Sequence, residues 1–189
     1  EKQAIKNKYT AGKEYFVYTG MTGTAGNLLN LLKAFSLFKK RQQSGFKLLL
    51  AGDIDKKDKA FAESLATYKY REDLILAGPV TSNEKARLVA AAYALVDPSL
   101  QEGTGIPPLE AAASDVPVIA VTGQPLLEKE AFLEADTSDY ADIAAQMMLL
   151  YKDERLRTQL IEKARVSAKL YSMDRSADGL WGLIMKTMT

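Results

Sequence analysis

The sequence of 189 residues contains no cysteine and no histidine. Without cysteine there is neither a disulfide framework nor a thiol nucleophile, and without histidine the commonest metal ligand and general base is missing. Any chemistry falls to carboxylates, hydroxyls, amides, lysine and arginine, and neither a metal site nor a cofactor is expected. No apolar run approaches the length that spans a bilayer, and the opening Glu1-Lys2-Gln3 is no signal peptide. The expectation is a soluble, cytoplasmic domain without a transmembrane segment. A formal net charge of +1 and the lack of any long Lys/Arg run argue against nucleic acid as a partner. With 47% hydrophobic and 26% charged residues the composition is that of a globular protein, and the length suits one α/β domain with a substantial core.

What the chain does contain is concentrated between Tyr93 and Val121. Ala94-Leu95-Val96 is a short apolar run closed by Asp97-Pro98-Ser99, and Val116 to Val121 is another, so the stretch reads as strand, loop, helix, strand. Gly103 and Gly105 allow a tight turn and a close approach of backbone to a ligand, while Pro107 and Pro108 suit the first turn of a helix beginning near Pro107. This places Glu102 on the loop at a strand's carboxyl end and Glu110 in the first helical turn, both facing one crevice. A helix N-terminus there suits a phosphate, and adjacent carboxylates accept hydrogen bonds from sugar hydroxyls. In a plainer reading the two glutamates only cap the helix and complement its dipole.

The remaining chain alternates strand and helix. Residues 1–14 read as a polar linker or strap that follows another domain, with Ala11-Gly12-Lys13 as a turn. Tyr15 to Tyr18 is the first strand, followed by a Gly/Thr-rich loop from Thr19 to Gly26. A helix then carries Leu28, Leu31, Leu32, Phe35 and Phe38 on one face and ends in Lys39-Lys40-Arg41, read as a solvated basic terminus. Phe46 to Ala51 and Leu74 to Ala77 are further strands, Lys59 to Lys69 a helix, and Thr81-Ser82-Asn83-Glu84 a capping box that opens a helix to Ala92. Ala131-Phe132-Leu133 is the candidate sixth strand at the sheet's edge. Ser138 to Tyr151 and Glu154 to Leu170 read as amphipathic helices with Leu149, Leu150, Leu156, Leu160 and Ile161 on buried faces. A last helix from Met173 to Met185 carries Trp181, read as core or domain-contact packing. Continuously apolar strands alternating with helices specify an α/β, Rossmann-like three-layer domain over residues 15–189, with a mainly parallel sheet of about six strands. Such sheets bind ligands at the strands' carboxyl ends.

The run Glu102-Gly103-Thr104-Gly105-Ile106-Pro107-Pro108-Leu109-Glu110-Ala111, followed by Val116-Pro117-Val118-Ile119, resembles the Glu-x7-Glu signature of family 4 retaining glycosyltransferases of the GT-B fold. Tyr18-Thr19-Gly20, Leu49-Leu50-Ala51-Gly52, Leu76-Ala77-Gly78-Pro79-Val80 and Pro98-Ser99 are similar to the family in the same order. The resemblance runs from about Tyr15 to the C-terminus and implies the C-terminal, donor-binding half of a two-domain enzyme. Its donor would be a nucleotide-diphosphate sugar, its acceptor a glycan or glycolipid of the cell surface, and its missing partner the N-terminal, acceptor-binding domain. Through that domain the enzyme would sit at the inner face of the membrane. The resemblance implies that Glu110 binds the nucleotide ribose and that Glu102, as the catalytic residue, holds hydroxyls of the transferred sugar. Gly103, Thr104, Gly105 and Ile106 would cradle sugar and phosphate, and Gly20, Thr22, Gly23, Gly78 and Val80 would complete the donor site. In relatives the last helix crosses back to the N-terminal domain, which would account for an exposed Trp181.

One departure bears on activity. Relatives place Arg and Lys in the loop after the first strand, commonly as His-Pro-Arg-Lys-Asn, where this chain reads Gly23-Thr24-Ala25-Gly26-Asn27. Losing two charge-assisted hydrogen bonds at about 1.5–3 kcal/mol each would weaken diphosphate binding by several hundredfold or more without compensation. A degenerate, non-catalytic domain used for sensing or assembly is therefore the alternative. A flavodoxin-like flavin site in the Thr19 to Thr24 turn is a further one, but it leaves Glu102 and Glu110 unexplained.

Overall fold

The computed structural model describes residues 1–20, 27–52, 59–100, 105–123 and 127–187. Its six strands are β1 (Tyr15–Thr19), β2 (Lys47–Ala51), β3 (Leu74–Gly78), β4 (Ala94–Asp97), β5 (Val118–Val121) and β6 (Leu133–Ala135). They form one sheet in the order β3-β2-β1-β4-β5-β6, with every pair parallel. A parallel sheet needs cover on both faces, and the side chains of β1 are buried throughout. The α/β, Rossmann-like class read from the sequence is the class observed.

The helices are α1 (Lys2–Thr10), α2 (Leu28–Gln42), α3 (Lys59–Ala66), α4 (Ser82–Ala91), α5 (Ile106–Ala113), α6 (Tyr140–Lys152), α7 (Glu154–Ala168) and α8 (Met173–Thr187). One core cluster joins Phe16, Leu48, Leu50 and Val96 to α2, Phe61 of α3 and Ile143 and Met147 of α6. The other joins Tyr15, Val17, Leu49 and Leu95 to Ile5 of α1, Leu88 of α4, Ala111 of α5 and Ala164 of α7. The alternation along each strand thus divides the sheet between two helical layers. On the first face Phe16, Phe38, Phe46, Tyr93 and Tyr151 meet edge to face or tilted, with centroids 5.0 to 5.9 Å apart.

Several details differ from the sequence reading. The segment read as a linker or strap folds as helix α1, which packs on α4 with Ile5 and Thr10 buried; the sparse apolar pattern concealed it. The sixth strand begins at Leu133, because Lys129–Ala131 forms a single 3-10 turn and Leu133 is the residue that pairs with Ile119. Leu149 is 43% exposed, since adjacent Leu150 takes the core position and neighbours on a helix stand about 100° apart. Lys39 is not solvated: it is 7% exposed, with Nζ donating to the carbonyls of Ser44 and Phe46 and lying 2.9 Å from Asp73 Oδ2. Lys47 Nζ donates to Asp73 Oδ1 at 2.7 Å, so one carboxylate serves two lysines. Burial alone would raise the Asp73 carboxyl, but hydrogen bonds from Lys47 and Lys39 outweigh it and hold it below the usual carboxylate range.

Candidate functional site at the sheet's carboxyl edge

The strand order reverses between β1 and β4: from β1 the chain moves outward to β2 and β3, then returns across β1 to β4 and onward to β5 and β6. A crevice outside the carboxyl ends of a parallel sheet opens at such a switch point. β1 and β4, the strands on either side of this point, are the ones followed by the two loops singled out by the sequence.

Asn27 ties the edge together. It caps α2 in the left-handed conformation (φ 49°), and its Nδ2 donates to the Pro98 carbonyl at 2.9 Å and to the Thr137 carbonyl at 2.6 Å. One side chain therefore joins the start of α2 to the segments after β4 and β6. Asn30, one turn further, donates to the carbonyls of Thr137 and Ser138. Thr137 Oγ1 donates to the Ser99 carbonyl at 2.9 Å, and Asp97 Oδ1 accepts from the Ser99 amide and hydroxyl. Short polar side chains thus join the chain segments at this edge.

Glycine is required where backbones cross. Gly20 N donates to the Ala51 carbonyl and Gly52 N to the Gly78 carbonyl, so the ends of β1, β2 and β3 are laced in sequence. A Cβ on Gly20 would lie 2.5 Å from the Tyr18 hydroxyl. Burial pushes that hydroxyl's pKa up to about 12, with the Asp97 carboxylate adding to the shift. At the end of β1, Thr19 Oγ1 is buried with no hydrogen-bond partner among the described residues.

Of the residues proposed from the sequence, Gly20, Gly78, Val80, Gly105, Ile106 and Glu110 fall within the described residues; Gly78 ends β3 and the others follow β1, β3 or β4 in the chain. Thr22, Gly23, Glu102, Gly103 and Thr104 lie outside them, so the convergence of Glu102 and Glu110 on one crevice is not among the placements observed. Gly78 and Gly105 have φ of 69° and 68°, in the left-handed region that glycine tolerates. Gly105 is the N-cap of α5, which starts at Ile106, one residue before the expected position. Glu110 consequently occupies the second turn of α5 and not the first. With Pro107 and Pro108 following, only Ile106 among the first three helical residues has an N–H, so α5 offers a dipole but few amide donors. The longer α2, which begins at the switch point, is the better placed source of both.

Glu110 has a partner that the sequence reading missed. Lys85, in the first turn of α4, donates from Nζ to Glu110 Oε1 at 2.9 Å and lies 2.9 Å from Oε2. Oε2 is buried, and among the described residues it accepts no hydrogen bond of its own. The signal available was the capping box: Thr81 Oγ1 accepts from the Glu84 amide at 3.2 Å, which fixes the helical register and hence the directions of Glu84 and Lys85. Glu84 turns to α1, accepting from Lys8 Nζ and the Tyr9 hydroxyl, while Lys85 turns to α5.

A groove of about 700 Å³ lies along α2, lined among others by Leu29, Leu37, Tyr68, Tyr70 and Tyr140. Among the described residues no cluster of three or more Asp or Glu could hold a metal ion. Among them, too, no helix is long and apolar enough to cross a membrane.

Residues 1–167 match the family described as glycosyl transferases group 1. The chain belongs to this family. It is 30% identical over 174 residues to the O-antigen chain mannosyltransferase B of Escherichia coli, a match covering 90% of this chain and 45% of the relative. Two serotype-specific mannosyltransferases WbdA of the same species are 26% identical over 181 residues, 93% of this chain and 22% or 21% of theirs. This glycosyltransferase domain thus spans less than half the length of these curated relatives. Its fold is that of the C-terminal domain of a glycosyl transferase group 1 family protein from Francisella tularensis, at a TM-score of 0.77 and 19% identity over 90% of this chain and 92% of that one. HepE of Anabaena, solved with UDP and glucose, is similar at a TM-score of 0.83 and 13% identity, over 98% of this chain and 52% of that one.

Proposed function

We propose that this domain is the donor-binding half of a retaining, family 4 glycosyltransferase, taking a sugar from a nucleotide-diphosphate sugar to a glycan or glycolipid acceptor. The single observation that carries the proposal is the binding of Asn27 to the Pro98 and Thr137 carbonyls. It brings the N-terminus of a long helix, with its positive dipole, against the loop that leads to Glu102 and Glu110. In this reading the diphosphate lies at the start of α2 beside Gly20, Thr22 and Gly23. The base lies against Gly78 and Val80, the ribose at Glu110, and the transferred sugar at Glu102 and the Gly103–Ile106 backbone. Mannose is the sugar proposed, from the names of three of the relatives above.

The bond from the anomeric carbon to the diphosphate oxygen breaks, the acceptor oxygen attacks on the same face, and the departing diphosphate takes the acceptor's proton. Such a route requires no histidine. The protein's task is to stabilise the leaving diphosphate with oriented N–H groups and a helix dipole. The acceptor belongs to a second domain of the enzyme, so this chain alone is expected to be inactive. The apolar side chains of α8 that stand in solvent, Leu180, Trp181, Leu183 and Met185, form the surface on which that second domain would dock.

A second reading, a non-catalytic domain of the same fold, is favoured by the absence of Arg and Lys from Gly23 to Asn27. Calorimetric titration with UDP and GDP, and with uridine and guanosine, separates the two. Binding of a diphosphate at least about tenfold tighter than its nucleoside supports the catalytic reading, since charge-assisted contacts to phosphate are worth that much. Equal or undetectable binding supports the other.

A further inference from the structure

We infer that Lys85 is the positioning residue that sets Glu110 for the donor's ribose, an inference resting on the role proposed for Glu110 above. A glutamate side chain has three rotatable bonds and loses their freedom when it must hold its carboxylate against a ribose hydroxyl. Here an ammonium from the neighbouring helix stands 2.9 Å from each oxygen, which fixes the carboxylate in place before any ligand arrives. Each carboxylate oxygen has about two acceptor sites, and with Oε2 buried the hydrogen bond from Lys85 leaves one on Oε1 for a ribose hydroxyl.

Lys85 is itself held. Its backbone N–H donates to the Thr81 carbonyl at 2.8 Å, at the start of a capped helix, and the adjacent Glu84 is drawn to the opposite side by Lys8 and Tyr9. Glu84 is thereby kept from competing for the Lys85 ammonium. The pair also bridges α4 and α5, the helices that follow the loops at Gly78–Val80 and at Gly105, so it sets the spacing between the two loops that would grip base and sugar. Lys85 need touch no reacting atom; it acts through Glu110.

The test titrates the chain with GDP and UDP and with their 2′-deoxy and 3′-deoxy analogues, comparing the parent with Lys85→Met, Lys85→Gln, Lys85→Arg and Glu110→Gln. The parent should favour the ribonucleotide by about tenfold, the value of one charged hydrogen bond. Lys85→Met should lose most of that preference with the deoxy affinities unchanged, and Lys85→Arg should keep it. Lys85→Gln, uncharged but of similar length, should lose it as Lys85→Met does, and it stands in if the methionine variant fails to fold. The inference is overturned if the neutral variants retain the full preference, or if they weaken ribo and deoxy forms equally. If Glu110→Gln also retains the preference, or the parent shows none, the role of Glu110 falls together with that of Lys85.

Discussion

Gly52 stands directly against Gly20: a Cβ at position 52 would come within 2.0 Å of the Gly20 carbonyl oxygen, and Gly52 has φ 144°. The two backbones meet where β1 and β2 end, with no space for any side chain. Gly52→Ala should therefore destabilise the domain by about 2–4 kcal/mol, combining backbone strain with a contact that only main-chain movement relieves. Urea denaturation measures this, and a change below about 0.5 kcal/mol, the range of an ordinary surface site, would show that the edge is less tightly laced.

Asn27 makes two separable contributions, its hydrogen bonds and its left-handed backbone. Asn27→Gly keeps the conformation and removes the bonds to Pro98 and Thr137, and should cost about 1–3 kcal/mol. Asn27→Ala loses both and should cost about 1–2 kcal/mol more, the usual penalty of that conformation for a residue with a Cβ. The difference between the two unfolding free energies checks the ordering.

The Asp73 carboxylate, shared by Lys39 and Lys47, makes stability depend on acid. Its folded pKa is lowered, so its contribution is present above the unfolded carboxyl value of about 4 and disappears as pH falls through the folded value. The urea midpoint should fall between about pH 5 and pH 3, and in Asp73→Asn that fall should be shallower. At neutral pH the same variant should lose about 1–3 kcal/mol, less than for a fully buried pair because Asp73 retains 21% side-chain exposure.

Trp181 is 64% exposed on α8. Trp181→Ser should change the stability of this chain by less than about 0.5 kcal/mol, the range of an ordinary surface site. Urea denaturation measures this. A large loss of stability would place the indole in the core of this domain.

Much of this was legible in the sequence because the relevant forces are local. The continuous apolar runs at Tyr15, Leu48 and Ala94 could only be strands buried on both faces, and Thr81 with Glu84 announced the start of α4. The register of Gly105-Ile106-Pro107 gave the start of α5 to within one residue, but that single residue moved Glu110 into the second turn. What was not legible depends on tertiary partners. Lys39 looked like a solvated terminus until Asp73, thirty-four positions away in the chain, was brought beneath it. The capping box gave Lys85 its direction on α4, but nothing local records that Glu110 of α5 lies on that side. Helix α1 is stabilised by its contact with α4, and its own apolar pattern was too sparse to declare it.

The absence of Arg and Lys from the loop after β1 predicts a gain as well as a loss. Ala25→Arg with Gly26→Lys should tighten binding of nucleoside diphosphate while leaving the nucleoside unaffected, and the gain should shrink with salt, as exposed charges are screened over about 8 Å at physiological ionic strength. Titrations at low and high salt on a double mutant with an intact melting transition check this. No gain would mean that the loop has moved away from the phosphate position.

The most direct measurement is amide-resolved NMR of the labelled chain during titration with GDP and with UDP. The account predicts that the shifting amides cluster at Gly20, Gly78, Val80, Gly105, Ile106 and Glu110, and that Glu110→Ala weakens binding without loss of the melting transition. Shifts confined to the groove at Leu29, Leu37, Tyr68 and Tyr140, or no shifts at saturating nucleotide, would contradict a donor site at the carboxyl edge.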